Sequence, residues 1–164
     1  PQVSAADRLA MVALAVADSS PLQVDDRELQ RDRPSYTVDT LTELRAQLGE
    51  QVSLSLCMGM DSFCTLDSWY EWSQLIRLAH IVVVERPGYE LPVVGPVAEL
   101  LRRHRAGADA IQAAAAGAVI IAAPRLLPVS ATEIRAQLKS GQSPQFLLPD
   151  AVLNYIHAQQ LYCE

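Results

Sequence analysis

The run Ile81-Val82-Val83-Val84 constrains the fold of this chain more than any other part of its sequence. All four residues are β-branched, and a run of this length is typical of a strand that is buried on both faces. Alternation of apolar with small polar residues over 52–58 predicts another strand, and the apolar stretch 118–122 predicts a third. Helical patterns lie between these segments. Strands that alternate with helices predict an α/β fold, with a parallel sheet and helices on both of its faces.

Apolar residues at helical spacing, with helix-start residues ahead of them, predict the helices. Their ranges are 5–17, 37–48, 67–78, 95–104, 131–140 and 149–159. A short strand over 22–24 and a helix or irregular segment over 107–117 complete the pattern. The 164 residues fit the usual size of one domain and show no internal repeat or linker. We therefore predict a single domain over residues 1–164.

The charge of the chain limits its partners. A formal net charge of −6 argues against broad attraction to nucleic acid or to an anionic membrane surface. No apolar run approaches the roughly 20 residues of a membrane span, and no signal segment is visible, so we expect a cytoplasmic protein. A homo-oligomer is compatible with this composition.

The cysteines and histidines do not suggest a metal or redox centre. Cys57, Cys64 and Cys163 lack metal-ligand or redox spacing, so we predict reduced thiols. The histidines are scattered at His80, His104 and His157, without the spacing of a zinc site. The phosphate-loop, dinucleotide and esterase fingerprints are missing as well. No metal site made of protein side chains is therefore expected.

Parallel sheets bind ligands in the crevice beyond the carboxyl ends of their strands. That rule selects the segments Gly59-Met60-Asp61, Glu85-Arg86-Pro87 and Ser130–Arg135. Gly59 would let a ligand approach the backbone, and Asp61 could accept hydrogen bonds from a ribose diol. The alternative is a turn at Gly59 followed by a capping aspartate. Arg86 taken alone fits a solvated surface arginine.

A capping box marks the last of these segments. Ser130 followed by Glu133 predicts the start of a helix that ends near Gly141. Arg135 then lies in the first or second turn, where the helix dipole disfavours a cation by about 0.3–1 kcal/mol. A phosphate bound by free N–H groups, the Ser130 hydroxyl and the guanidinium would explain this arrangement. The alternative is an ordinary capped helix with a solvated arginine.

Aromatic and hydroxyl side chains form a further candidate site. Tyr36 and Thr37 lie at the start of a predicted helix, whose N-terminal amides could hold a carboxylate. A helix cap with nothing bound is the alternative. Trp69 and Tyr70 follow Asp61 in the sequence and offer flat faces for stacking, while a tryptophan buried in the core is the commoner arrangement.

Taken in order along the chain, these segments indicate a protein family more specifically than any one of them does alone. The stretches are Arg33–Leu41, Gly59–Phe63 with Leu66, Trp69 and Trp72, Ala79–Val83, Arg86–Tyr89, Val129–Arg135 and Phe146–Ile156. Together they resemble bacterial nicotinate-nucleotide adenylyltransferases over nearly the whole chain. The resemblance implies a Rossmann-like nucleotidyltransferase fold and an enzyme of NAD biosynthesis. Such an enzyme transfers AMP from ATP to nicotinate mononucleotide and releases pyrophosphate, with Mg²⁺ neutralising the phosphates.

The same resemblance implies two groups of site residues. Nicotinate mononucleotide would contact Tyr36, Thr37, Trp69 and Tyr70, with backbone amides on its carboxylate and the Trp69 indole on its pyridine ring. ATP and its phosphates would contact Ser130, Arg135, Arg86, Gly59 and Asp61.

One element of the family pattern does not occur in this sequence. Family members begin with a strand and a glycine-rich segment that carries His-x-Gly-His, and none of the three histidines here precedes x-Gly-His. We therefore expect the chain to be truncated at its N-terminus, and we assign no catalytic residue within it. One alternative is a noncatalytic nucleotide-binding short form. Another is an adenylyl- or cytidylyltransferase for a different phosphate acceptor, such as a pantetheine or a choline precursor, which the pairing of Tyr36-Thr37 with Trp69-Tyr70 disfavours.

Overall fold

The computed structural model describes residues 3–125, 127 and 129–162, which divide into two compact units. We call Asp32–Leu126 the sheet unit, and Pro1–Arg31 together with Leu127–Glu164 the terminal unit. None of the described helices combines the length and the hydrophobicity that a membrane span requires.

The sheet unit is built on a parallel sheet of three strands in the order β1-β2-β3. The strands are β1 (Ser55–Gly59), β2 (His80–Val84) and β3 (Val119–Ala122). Gly59 pairs with Val84, and Val84 pairs with Ala122. The carboxyl ends of all three strands therefore meet at one edge of the sheet, and the predicted α/β fold is confirmed.

Eight α-helices accompany the strands in the described part of the chain. They are α1 (Ala5–Val16), α2 (Thr37–Leu48), α3 (Met60–Cys64), α4 (Leu75–Leu78), α5 (Gly95–His104), α6 (Ala110–Ala113), α7 (Ala131–Lys139) and α8 (Asp150–Ala158). The predicted ranges of α1, α2, α5, α7 and α8 agree with these bounds to within a residue or two. The N-cap of α2 is Tyr36, one residue before Thr37.

The core of the sheet unit lies between the strands and the helices around them. Its fully buried apolar side chains are Phe63, Leu66, Leu75, Ala79, Ile81, Val83 and Val119. In β2, Ile81 and Val83 are fully buried while Val82 and Val84 are partly buried, so burial of these four residues is complete on one face of the strand and partial on the other. Burial of each large apolar side chain contributes about 1.5–3 kcal/mol.

The continuous helix predicted over 67–78 is wrong. The chain instead forms 3-10 turns at Leu66–Ser68 and Trp72–Gln74, followed by the short helix α4. Trp69 has an extended backbone between the two turns, and Glu71 adopts a left-handed conformation with φ of 49°. Extended and left-handed residues each interrupt the helical hydrogen-bond series, so the apolar residues reach the core without a helix.

The other differences are in the strands. The strand predicted over 22–24 is irregular, and β1 begins at Ser55 although the alternating pattern begins at Val52. The carbonyl of Val52 accepts a hydrogen bond from Arg45 Nη1 at 2.5 Å. The backbone bonding to β2 begins at Leu54, whose carbonyl accepts the His80 N–H at 2.8 Å.

Arg45 on α2 connects the segments that lead into all three strands. Its guanidinium donates to the carbonyls of Val52 before β1, Leu78 before β2 and Ala115 before β3. It also donates to Gly49, the C-cap of its own helix. A guanidinium carries five N–H donors in a planar fork, which suits contacts to several carbonyls at once.

The terminal unit joins helices from the two ends of the chain. The Tyr155 hydroxyl of α8 donates to Asp7 Oδ1 of α1 at 3.0 Å, and the Ser4 hydroxyl donates to Asp7 Oδ2 at 2.6 Å. Ser4 also caps α1 by accepting the Asp7 N–H. These hydrogen bonds lower the pKa of the Asp7 carboxyl, with the bond from Ser4 as the largest cause and the bond from Tyr155 next.

The stability of the terminal unit is expected to fall at low pH, and Tyr155→Phe should reduce that fall. A carboxyl with a depressed folded-state pKa contributes stability above its unfolded pKa of about 3.9 and loses it as pH falls through the folded pKa. The phenylalanine variant lacks one of the two hydroxyl donors to Asp7. Urea midpoints measured from about pH 7 to about pH 2.5 test this. Parallel curves for wild type and variant would contradict it.

Two of the predicted reduced cysteines fall in described residues. Cys57 in β1 is exposed and Cys64 at the end of α3 is partly buried, and both are free thiols. Cys163 lies outside the described residues.

Candidate functional site

Two of the predicted site residues meet at the carboxyl edge of the sheet. Asp61 follows β1 and Arg86 follows β2, and Arg86 Nη1 lies 2.6 Å from Asp61 Oδ2. The side chains are 30% and 54% exposed, respectively, so the ion pair faces solvent. An ion pair at such exposure contributes little to stability, typically about 0–1 kcal/mol. Its charges are instead accessible to a ligand.

Gly59 controls where the Asp61 carboxylate lies. It is the last residue of β1 and the N-cap of α3, and a Cβ built on it would clash with Asp61 Oδ1. The missing side chain therefore lets the carboxylate fold back over the end of the strand, where Arg86 reaches it.

Gly59→Ala is expected to displace the Asp61 carboxylate and to break its contact with Arg86. We expect a loss of stability of about 1 kcal/mol and a weaker affinity for any nucleotide bound at this edge. Gly107→Ala is a matched control, because a Cβ there would meet Asp109 Oδ1 in the same way but away from this edge. Calorimetric titration with MgATP compares the two variants. Equal affinities would contradict a role for this arrangement in binding.

A cleft of roughly 730 Å³ opens beside Arg86. Its walls are formed by Met60 and by the segment from Glu85 to Leu91 that follows β2. Pockets that hold small molecules usually have volumes of about 300–1,000 Å³. The cleft is large enough for part of a nucleotide, and of the residues predicted to contact ATP it is lined by Arg86.

A second group of predicted residues surrounds the start of α2. The first hydrogen bonds of this helix run from the N–H groups of Asp39 and Thr40 to the carbonyl of Tyr36, at 3.1 and 3.2 Å. The amides of Thr37 and Val38 precede those bonds and are not used by the helix. They provide donors for a carboxylate at the positive end of a helix of 12 residues.

The Tyr70 ring lies against the start of the same helix. Its centroid is 4.5 Å from that of Tyr36, with the planes tilted by 34°. The two rings are 54% and 38% exposed. Trp69, the preceding residue, is half-buried and packs against the hydrophobic core. The structure thus brings Tyr36, Thr37 and Tyr70 together. Trp69, which directly precedes Tyr70, is held by its contacts with the core.

The sequence placed Arg33 in a charged segment that we expected to be solvated. Its contact with the start of α2 was therefore not predicted. Arg33 Nη1 forms an ion pair with Asp39 Oδ2 in the first turn of α2 at 2.7 Å. The hydrogen bond with Asp39 is the main cause that raises the pKa of Arg33, and Tyr70 makes a smaller electrostatic contribution. The six-residue separation of Arg33 and Asp39 across Pro34 gave the only sequence signal for this pair.

The remaining two predicted residues belong to the terminal unit. Ser130 is the N-cap of α7, and its hydroxyl oxygen accepts the Glu133 N–H at 3.1 Å, as the capping box predicts. Arg135 lies in the second turn, is half-buried and donates from Nη2 to Thr132 Oγ1 at 3.2 Å. The Ser130 hydroxyl proton remains free to donate to an anion, since the oxygen only accepts in the cap.

The acidic and sulfur side chains of the described ranges do not form a metal cage. No group of three or more His, Cys, Asp or Glu within those ranges is arranged to hold a metal ion. His80 is fully buried and is used structurally, because its Nε2 contacts the Ala114 carbonyl at 2.9 Å and its Nδ1 accepts the Ala118 N–H.

Comparison with known proteins identifies the family. The model of the family described as cytidylyltransferase-like matches residues 1–137. A protein of Cellvibrio japonicus named "Probable nicotinate-nucleotide adenylyltransferase" is 51% identical over 162 residues, which are 99% of this chain and 77% of that protein. A protein of the same name from Pseudomonas fluorescens is 47% identical, over 99% of this chain and 76% of its own length. The chain belongs to the nicotinate-nucleotide adenylyltransferase family.

Solved structures support the same fold. The nicotinic acid mononucleotide adenylyltransferase of Plasmodium falciparum complexed with APC matches with a TM-score of 0.67 and 17% identity, over 98% of this chain and 76% of that one. The same enzyme complexed with NaAD matches with a TM-score of 0.63 and 15% identity. At such identity the likeness supports the Rossmann-like nucleotidyltransferase fold. This chain spans about three quarters of the adenylyltransferases it matches.

Proposed function

We propose that this protein transfers AMP from ATP to nicotinate mononucleotide, giving deamido-NAD and pyrophosphate in NAD biosynthesis. The identity of 51% to a nicotinate-nucleotide adenylyltransferase over 99% of the chain is the observation that carries this proposal. Both substrates are common cytoplasmic metabolites, and we place the reaction in the cytoplasm.

The start of α2 is the proposed site for the nicotinate ring. The amides of Thr37 and Val38 bind the ring carboxylate, helped by the helix dipole. The stacked rings of Tyr36 and Tyr70 form one wall, and the Trp69 indole supplies a flat face held by its contacts with the core. An uncharged carboxamide would gain less from these donors, which favours nicotinate over nicotinamide.

The carboxyl edge of the sheet is the proposed site for ATP. Gly59 gives close access to the backbone, and the Asp61 carboxylate accepts hydrogen bonds from ribose hydroxyls. Arg86 binds phosphate oxygens from the cleft that it lines. Within the terminal unit, Ser130 and Arg135 form a proposed phosphate-binding group of their own at the start of α7, where the hydroxyl, the helix amides and a guanidinium are all donors.

The proposed chemistry needs no covalent intermediate. A phosphate oxygen of the mononucleotide attacks the α-phosphorus of ATP in line, and the bond to the departing pyrophosphate breaks. The residues named above contribute by holding the two phosphates in contact and by neutralising charge as it builds up. Mg²⁺ enters as MgATP, in which phosphate oxygens supply most of its ligands.

Incubation of the full chain with nicotinate mononucleotide and MgATP tests the proposal. Deamido-NAD and pyrophosphate should form in equal amounts and should depend on both substrates. Nicotinamide mononucleotide, 4′-phosphopantetheine with ATP, and phosphocholine with CTP serve as competing acceptors. Binding of nicotinate mononucleotide without any product would instead identify a noncatalytic form, and faster reaction with another acceptor would overturn the substrate assignment.

Trp69→Ala is expected to weaken the binding of nicotinate mononucleotide by about 1–3 kcal/mol, with base–aromatic stacking as the analogue. Trp69→Phe keeps a flat ring and should recover most of the affinity. Because Trp69 also packs against the core, thermal unfolding of both variants must be measured beside calorimetric titration. An unchanged dissociation constant in a folded Trp69→Ala protein would remove the indole from the site.

A further inference from the structure

The sheet unit contains a second cavity, a groove of roughly 630 Å³ that shares no lining residue with the cleft beside Arg86. It lies between the segment that includes α4 and the helix α5. Ala116 and Gly117 close one end just before β3 begins. That end is therefore at the amino edge of the sheet, opposite the edge that carries Asp61 and Arg86.

The floor of the groove is aromatic and apolar. Trp72, Ile76 and Leu100 line it. Trp72 is half-buried and packs against the core with part of its side chain, while the remainder faces the groove. An indole that is held in this way presents a flat surface at little further cost in side-chain entropy.

The rim of the groove carries more positive than negative charge. Arg77 and Arg103 line it together with Glu99. Within the described part of the chain, Arg77 forms no hydrogen bond or ion pair. Two guanidiniums beside one carboxylate leave a local positive charge on a chain whose net charge is −6.

The carboxylate of Glu99 does not prevent Arg103 from binding a ligand. It contacts Arg103, and Arg102 lies 3.9 Å from the same oxygen. Arg102 can therefore continue to balance Glu99 when Arg103 turns to an anion in the groove. Arg103 and Arg102 are 67% and 73% exposed, so neither is fixed by packing.

His104 adds a third nitrogen group to the rim. Its Nδ1 lies 2.9 Å from the Gly117 carbonyl, and because a carbonyl only accepts, Nδ1 carries the proton. The Nε2 atom is then an acceptor in the neutral ring and a donor in the protonated ring.

We propose that this groove binds a small anion with a flat ring, of the chemical class of a mononucleotide. The ring stacks on the Trp72 indole, and the phosphate is held by Arg77 and Arg103, since planar guanidiniums bind phosphate oxygens in pairs. The volume lies in the range of small-molecule pockets, about 300–1,000 Å³. The site is separate from the proposed substrate residues, and it does not depend on the adenylyl-transfer function.

In a ¹⁵N nuclear magnetic resonance spectrum, the indole N–H signal of Trp69 reports on the proposed nicotinate site, and that of Trp72 reports on the groove. AMP added to the full chain should shift the Trp72 signal in a saturable way, and Trp69→Phe should leave that shift unchanged. Adenosine and inorganic phosphate, which each lack one half of the ligand, should bind about tenfold more weakly or worse. A shift at Trp69 alone, or equal affinity for adenosine, would overturn the proposal.

Substitutions on α5 and α4 test the phosphate contacts. The double variant Arg77→Gln/Arg103→Gln should weaken AMP binding at Trp72 by about tenfold or more. The double variant Arg105→Gln/Arg125→Gln is the matched control, because it removes two exposed guanidiniums that do not line the groove. Both altered sites are exposed, so the proteins should fold. Equal losses in the two proteins, or none in either, would overturn the proposal.

Discussion

Arg45→Met is expected to destabilise the sheet unit by about 3 kcal/mol, a large effect for a charged residue that is only half-buried. The methionine keeps most of the apolar stem but removes every donor of the guanidinium. The carbonyls of Val52, Leu78 and Ala115 then lose a charged partner at the point where each strand begins. Each carbonyl that stays partly buried without a donor costs about 1–3 kcal/mol, reduced where water can enter.

Urea unfolding followed by circular dichroism measures the loss. Arg45→Lys should fall between wild type and Arg45→Met, because an ammonium keeps the charge but cannot span the same set of carbonyls. Arg102→Met is a control, since Arg102 is 73% exposed and should change stability by less than about 0.5 kcal/mol. If Arg45→Met were as stable as this control, the guanidinium would not connect the three strands in solution.

The elements that follow from local patterns were predictable from the sequence. The strand β2 contains four β-branched residues, of which Ile81 and Val83 are fully buried, and α5 begins at a Gly-Pro pair with proline at a tolerated position. In both cases the residues of one short segment are enough to predict the type of element and its position. The common edge of the strands also followed, because parallel strands place their carboxyl ends together.

The segment 67–78 could not be predicted in the same way. Its apolar residues have helical spacing, yet Glu71 adopts a left-handed backbone that nothing in its side chain favours. Leu66 and Leu75, on either side of Glu71, are fully buried in a core formed largely by residues outside this segment. The consequence matters for the site, because the interrupted backbone places Tyr70 against Tyr36.

The side-chain contacts of the site were beyond sequence reasoning even where the residues were known. Asp61 and Arg86 were both selected by the strand-end rule, but their ion pair depends on the rotamer that Gly59 permits. Arg45 gave no signal, because its partners are backbone carbonyls up to 70 residues away. Any residue type has a carbonyl, so such a network leaves no pattern in the sequence.

Arg86→Glu is expected to weaken MgATP binding on the order of 100-fold, the largest functional effect we predict. The change removes a proposed phosphate donor and sets two carboxylates close together, where Asp61 now pairs with a guanidinium at 2.6 Å. Global stability should change by only about 1 kcal/mol, because both side chains are substantially exposed. Calorimetric titration with MgATP and urea unfolding separate the two effects.

The charge-swapped protein Asp61→Arg/Arg86→Asp distinguishes a binding role from a structural one. It restores an ion pair across the ends of β1 and β2, so its stability should return to that of wild type. If Arg86 binds phosphate from the wall of the cleft, the swapped guanidinium approaches from the wrong strand, and the affinity for MgATP should stay at least about tenfold weaker. Full recovery of affinity would show that only the ion pair is needed. Neither the Arg86 guanidinium nor the Asp61 carboxylate would then contact the nucleotide directly, because the swapped protein has neither group at its original position.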